Sequence, residues 1–232
     1  MPEPKRSPRS GRAAQAERND RLILESAREV FLADPDAPIT AVAEHAGVGI
    51  SALYTRYESK DELLRTLCRE GLSRMLCEIE AAVVDDRDPW TVFASFMHRL
   101  VDADTAALTL GLAGRFTPSD DMWALAERTD RELSERLFPR VKHALRPGVD
   151  VGDVSLVLEL VASIKLREHA RAEQLRRRYL AAILDGLRAQ RAEPLPGPSP
   201  TRQEINERWQ VPSRPRQRSA RRRRASGAPA PR

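Results

Sequence analysis

Residues 43–57 read AEHAGVGISALYTRY, and the way this stretch breaks decides the fold. A short apolar-faced run ends at Gly47, pauses, and resumes after Gly49 with Ile50, Ser51, Ala52, Tyr54, Thr55 and Arg56, among which there is no carboxylate. Gly47 suits the left-handed position that closes a helix, and Gly49 can cap the start of the next. In that second helix Leu53 and Tyr57 stand four residues apart and point inward, so nearly everything else on it faces out. An ordinary solvent-facing helix is laced with Glu and Lys; this one is not.

Outward from this point, helical apolar spacing runs through nearly the whole chain and no alternating β-branched run appears, so the fold is expected to be all-α. In RNDRLILESAREVFLA, Leu22, Ile23, Ala27, Val30 and Phe31 recur at helical spacing, with Asn19 or Asp20 as the expected N-cap. Pro35 and Pro38 stop that helix, and Thr40 is the expected cap of the short helix AVAEHA. ESKDELLRTLCREGLSRMLCEIEAAVV then carries paired apolar positions from 63/64 to 75/76, the pattern of a long amphipathic helix able to link two bodies. The second body runs from about Asp88 to Gln190, after which PLPGPSP at 194–200 opens an Arg-rich tail. Within that tail, EINERWQ places Ile205 and Trp209 four apart, compatible with a short docked helix. The expected organisation is a basic disordered arm over 1–17, a first helical module over 18–64, a larger helical domain over 65–192 and a Pro/Arg-rich tail over 193–232.

The net charge of +5 is unevenly placed. Residues 1–18 hold five Lys/Arg against two Glu, and 196–232 hold ten Arg against two Glu; subtracting +3 and +8 from +5 leaves −6 for 19–195. The basic character thus belongs to two tails, which serve either as polyanion-binding arms through Lys5, Arg6, Arg9, Arg12 and the RRRR of 221–224, or as solubilising segments. The module itself, residues 19–70, has six Lys/Arg and ten Asp/Glu, a net −4. No run approaches the ~18 apolar residues of a membrane span, and the N-terminus has no apolar segment of a secretion signal, so a cytoplasmic protein without a membrane partner is expected. Cys68 and Cys77 lie nine apart on one helix, on opposite faces, and can neither bridge nor share a metal there.

Helix, tight glycine turn, helix is the helix-turn-helix arrangement, whose second helix lies in the DNA major groove. A helix entering between phosphates must shed carboxylates and keep short side chains where the backbone approaches. Ile50, Ser51, Ala52, Thr55 and Arg56 are therefore the expected base contacts, Arg56 favouring the O6/N7 pair of guanine and Ile50 a thymine methyl. Thr40, Tyr54 and Lys60 are expected at phosphates.

The ordered string ITAVAEHAGVGISALYTRYESKDELL, through Thr40, Val42-Ala43, Ala46-Gly47-Val48, Ser51, Leu53-Tyr54, Arg56-Tyr57 and Lys60, resembles the N-terminal domain of the TetR/AcrR family of transcriptional regulators over about residues 18–70. The resemblance implies a homodimer on a double-stranded DNA operator, a small-molecule effector pocket in the C-terminal body, and usually repression released by that effector. The family's Thr before Leu-Tyr is Ala52 here, its His is Arg56 and its Phe is Tyr57, departures that bear on operator sequence rather than fold.

The other function class to weigh is a helical ligand-binding protein or enzyme with a vestigial helix-turn-helix. Against an enzyme, no phosphate loop, nucleophile elbow or metal-binding helix pair appears, and no catalytic residue, cofactor or metal is expected. His98, His143 and His169 lie far apart, without neighbours at ligand spacing, and His45 sits on the exposed side of its helix. Trp90, Phe93, Met97, Phe116, Met122 and Trp123 are either core packing or pocket lining, and Glu159, lone in VSLVLELVASI, is the polar candidate for the pocket or else a surface or cross-dimer ion-pair partner. The helices near 151–168 and 174–190, apolar nearly all round or mixing small and large residues, are the expected dimer surface.

Overall fold

The computed structural model describes residues 8–104, 108–109, 111–166, 168–189 and 193–207, with side chains from Arg18 onward. Lys5, Arg6, the side chains of Arg9 and Arg12, Trp209 and the RRRR of 221–224 lie outside the described residues. Every regular element among those described is helical, with one isolated bridge between Leu145 and Arg188. None of the described helices is long and apolar enough to cross a membrane.

Helix α1 spans Pro8–Ala33. Proline tolerates the first helical position because its missing N–H has no partner there. The backbone is thus helical across 8–17, the inner part of the expected arm, and Asp20 sits mid-helix rather than capping it. Ile23, Ala27 and Phe31, spaced by four, are buried, whereas Leu22 points to solvent. Helix α2 spans Ile39–Ala46 with Pro38 as its N-cap, extended at φ −69° and ψ 153° and making no side-chain cap. Thr40, expected as that cap, instead lies in the first turn, because Ile39 is buried and helical and moves the start back.

The close of α2 is a Schellman motif. Gly47 takes φ 64°, its N–H donates to the Glu44 carbonyl at 3.2 Å, and the Val48 N–H donates to the Ala43 carbonyl at 3.0 Å. Helix α3, Ile50–Arg56, starts from extended Gly49, and Leu53 alone within it is fully buried. Ser59 caps α4, Lys60–Val84, accepting the Glu62 N–H at 3.1 Å while the Glu62 carboxylate accepts the Glu58 N–H at 2.6 Å. Asp61 and Glu62 lie in its first turn, where the helix dipole favours negative charge.

The C-terminal body begins with α5, Pro89–Asp102, capped by Asp88. Then α6, Asp120–Arg131, runs without a break through a π-helical turn at Glu132–Leu137 into α7, Phe138–Val141, and a closing 3-10 turn at Lys142–Ala144. The wider turn precedes Pro139, which can donate no bond to the preceding turn and would clash with it in regular α geometry. Helix α8, Val151–Ala162, carries a capping box from Asp150 and Asp153, and α9 spans His169–Leu187. A last short helix, α10, Arg202–Glu207, contains Ile205 as its apolar residue.

Two apolar cores result. One joins Ile79 of α4 to Phe93, Phe96, Leu100, Leu137, Leu158, Leu180 and Leu184. The other joins Phe31, Leu53, Leu63, Leu64 and Leu67, and extends into the body through Leu108, Leu112, Phe116, Met122 and Ala162. Arg115 reinforces this junction by donating from Nε and Nη2 to the two Asp36 oxygens at 3.0 and 3.1 Å. Cys68 is buried in the second core, and burial pushes its thiol up to about 12, while Cys77 on the opposite face is exposed. A disulfide-exchange reagent at neutral pH should therefore titrate one thiol quickly in native protein and the second only after unfolding, since the thiolate is the reacting species. Two equally fast thiols would contradict this packing.

Candidate nucleic-acid interface and effector cavity

Because Leu53 and Tyr57 are the buried anchors of α3, the helix presents Ile50, Ser51, Ala52, Tyr54, Thr55 and Arg56 to solvent together. Thr40 is exposed on α2. The Thr55 hydroxyl donates to the Ser51 carbonyl at 2.8 Å, so toward an outside group it is an acceptor.

Arg56 folds back toward α1. Its Nε donates to Asp20 Oδ1 at 2.5 Å and its Nη2 pairs with Asp20 Oδ2, a side-on bidentate contact. The Tyr57 hydroxyl donates to the same Oδ1 at 3.3 Å. The carboxylate raises the Arg56 guanidinium above its usual range; burial first, and then the Asp20 charge, push the Tyr57 phenol up to about 12. Lys60 also has an internal role. Its Nζ donates to the carbonyls of Ala37 at 2.7 Å and Asp36 at 3.3 Å, and lies 5.2 Å from the Phe31 ring centroid, tying the α1–α2 loop to the start of α4.

The body contains a cavity of about 170 Å³. It opens where small residues face one another, Gly71 on α4, Thr109, Ala126 and Thr129 on α6, and Ser155 on α8, with Asp130 at its rim. None of Trp90, Phe93, Met97, Phe116, Met122, Trp123 or Glu159 is among its walls. Phe93 and Met97 fill the first core, Phe116 and Met122 fill the second, Trp90 packs against the first with the Arg188 guanidinium 5.0 Å from its ring, Trp123 is exposed and Glu159 is half-buried. Short side chains leave the space, and Met75, Phe96 and Leu100 border it. Thr109 Oγ1 is buried there with no hydrogen-bond partner among the described residues.

At the junction of module and body, Arg176 is buried and pairs with Asp104, a non-glycine residue held at φ 50°. Burial raises the Asp104 carboxyl while Arg176 draws it back. His169 reaches Asp104 at 3.3 Å and Glu173 at 3.4 Å, so it does have neighbours at ligand distance, contrary to the sequence expectation. The ligand atoms of these three residues lie within 4.8 Å of one another. Asp104 comes from a distant segment, which is why spacing did not reveal the cluster, and with Arg176 on its carboxylate the group reads as an ion-pair network rather than a cation seat. His45 on α2 pairs with Glu29 at 3.3 Å.

The glycine-closed helix pair, with an exposed and carboxylate-free second helix, is a helix-turn-helix. The family described as bacterial regulatory proteins, tetR family, matches residues 23–67, and the DNA-binding module belongs to it. No curated protein sequence matches the chain. Among solved structures, one gamma-butyrolactone receptor (ArpA-like protein) has a TM-score of 0.53 at 16% identity, over 75% of this chain and 90% of that one. A second structure of that name gives 0.50 at 16%, over 75% and 98%. A TetR transcriptional regulator from Streptomyces coelicolor gives 0.49 at 24%, over 75% and 99%. At such identities the likeness is one of fold.

Lys60→Met keeps the aliphatic stem and removes the bonds to the loop. It should lower stability to urea by about 1–3 kcal/mol, the scale of charged hydrogen bonds, besides weakening DNA binding. An unchanged unfolding midpoint would assign Lys60 to phosphate contact alone.

Proposed function

We propose that the chain is a homodimeric repressor that reads a two-fold operator through α3 and leaves it when a small molecule occupies the body cavity. The observation that carries the DNA-binding half of this reading is the Asp20–Arg56 pair. A guanidinium has two donor edges. Asp20 takes the Nε/Nη2 edge, which leaves the Nη1/Nη2 edge for the O6/N7 pair of a guanine. Asp20 thus works as a brace that aims Arg56, and it explains how a module of net −4 can keep a carboxylate beside its main reading residue. Ile50, Ser51, Ala52 and Thr55 complete the base-facing set, with Thr55 suited to accept from an exocyclic amine. Thr40, Tyr54 and the remaining Lys60 donor capacity address phosphates.

For the dimer, α9 offers an outward stripe of Leu175, Tyr179, Ala182 and Gly186 at helical spacing, in which Tyr179 is 52% exposed and a Cβ on Gly186 would meet nothing, while Ile183 beside it packs partly on the core. Leu160 on α8 is 61% exposed. Such an unpartnered stripe favours a two-fold pairing of the α8–α9 helices. For the effector, the support is the cavity, with a hydroxyl that has no partner among the described residues, and a fold neighbour that bears the name of a receptor. The module's family is one of regulators, and the reading assigns the body no catalytic residue, cofactor or metal.

Arg56→Ala should cost about 1–3 kcal/mol on the operator and relax preference at one base pair per half-site. Asp20→Ala should relax the same position while keeping affinity for nonspecific duplex, because the cation stays but loses its aim. Operator selection from randomised duplexes followed by fluorescence anisotropy measures both. A preference undisturbed by either substitution would sink the assignment, and failure of the wild type to enrich any sequence would favour a vestigial motif. Sedimentation should give a dimer at micromolar concentration and a weaker one for Tyr179→Glu; a wild-type monomer would exclude the two-fold reading.

A further inference from the structure

The effector cavity is covered by the chain's own C-terminal segment. Beyond α9, Arg146 donates to the Glu193 carbonyl, the Leu195 N–H donates to the Pro147 carbonyl at 3.4 Å, and Leu195 packs on the body core. The Ser199 hydroxyl then donates to Asp153 at 2.8 Å. Pro200 crosses α8 so closely at Gly152 that a Cβ there would stand 2.0 Å from the Pro200 carbonyl oxygen, and glycine alone admits the strap. Thr201 and Glu204 form a reciprocal cap: the Glu204 carboxylate accepts the Thr201 N–H and hydroxyl, each at 2.8 Å, and the Thr201 oxygen accepts the Glu204 N–H at 3.3 Å. This cap fixes the start of α10. Arg202 then meets Asp130 at the cavity rim, and Ile205 becomes part of the cavity wall with Leu133, Val154 and Leu158.

We infer that residues 199–207 act as an internal pseudo-ligand, and that the effector of this cavity is a small lipophilic cation that displaces them. The inference rests on the reading of the body as an effector-binding domain. The strap presents a cation and a branched apolar group three residues apart: Ile205 lines the cavity, and the half-exposed Arg202 pairs with Asp130 at its edge. Asp130 is two-thirds withdrawn from solvent, and a carboxylate so placed demands a positive partner, which Arg202 supplies until a ligand does. An anionic ligand would have to approach that carboxylate. Next to it the apolar wall of Met75, Phe96 and Leu100 accepts a hydrocarbon body, and Thr109, whose hydroxyl has no partner among the described residues, adds a polar group to that wall. With Ile205 docked, a void of about 170 Å³ remains, room for a single ring, since an apolar cavity of roughly 150 Å³ takes up benzene; the ligand's cation is what must take the place of Arg202 on Asp130. Because the strap competes for the same groups, apparent affinity falls by the fraction of molecules in which it is docked.

Benzylamine, benzyl alcohol and benzoate share a ring and differ in charge, and calorimetric titration of each into the full chain tests the inference. Benzylamine should bind the Arg202→Gln/Ile205→Ser variant at least about tenfold tighter than the wild type, and benzoate should bind neither. The preference for benzylamine over benzyl alcohol should vanish when Asp130→Asn is added. Gly152→Ala, which expels Pro200 without touching Arg202, Ile205 or Asp130, should give the same gain and guards against misfolding of the first variant, with circular dichroism reporting helicity of both. Equal benzylamine affinity in wild type and both strap variants would overturn the inference, as would benzoate binding on a par with benzylamine. Operator binding is not part of this readout. A strap variant that takes benzylamine while its operator affinity ignores the ligand leaves the strap reading standing and removes effector-controlled release; absence of binding to any form removes the strap reading and leaves DNA recognition untouched.

Discussion

Helix α4 belongs to both cores, and the remainder of the molecule is arranged around that constraint. Its first half buries Leu63, Leu64, Leu67 and Cys68 against α1, α2 and α3, and its second half buries Leu76, Ile79 and Ala82 inside the body. A rigid helix with both ends in close-packed surroundings transmits displacement rather than absorbing it, because packed interiors respond in discrete steps. The junction is more than one helix thick. Leu108, Leu112, Phe116, Met122 and Ala162 enter the core of the DNA-binding module, and Arg115–Asp36 and Arg69–Asp121 join the surfaces on either side. Gly71, on the cavity wall, lies on α4 between its two buried halves. The cavity wall and the packing beneath α3 thus share one helix.

Charge within the module is used locally. Glu62 closes the start of α4, Asp36 holds Arg115, and Asp20 braces Arg56. Several of the carboxylates that would otherwise repel a polyanion are thus committed to internal donors. The short polar face of α3 is thereby kept free of carboxylates although the surrounding module carries an excess of them. The same economy governs Lys60, which serves the α1–α2 loop before it can serve a phosphate.

The body illustrates how voids arise in helical proteins. Aromatic and large aliphatic side chains fill the first core, and the cavity appears where Gly71, Thr109, Ala126, Thr129 and Ser155 converge from several elements. The strap over it depends on one glycine and one reciprocal cap. Gly152 is required by close approach of a neighbouring backbone rather than by its own dihedral angles, and Thr201-x-x-Glu204 nucleates a helix inside a Pro-rich tail.

What the sequence alone determined was whatever depends on neighbours along the chain. The all-α class follows from apolar spacing, and the helix-turn-helix follows from Gly47 and Gly49, whose Schellman close and capping role need only a few consecutive residues. The outward set on α3 follows from Leu53 and Tyr57 being its only large anchors. Thr201-x-x-Glu204 is equally local, a reciprocal cap within four residues. Tertiary structure decided whatever depends on residues that meet across long separations. Asp20 meets Arg56 across 36 positions and Asp104 meets Arg176 across 72, and no periodicity encodes such pairs. Trp90, Phe93, Met97, Phe116, Met122 and Trp123 do not border this cavity whereas Met75 and Phe96 do: a run of Trp, Phe and Met shows that a segment is buried, but whether it fills space or borders it is set by the residues opposite. Those residues come from α4, α6, α8 and the tail, and only packing brings them together.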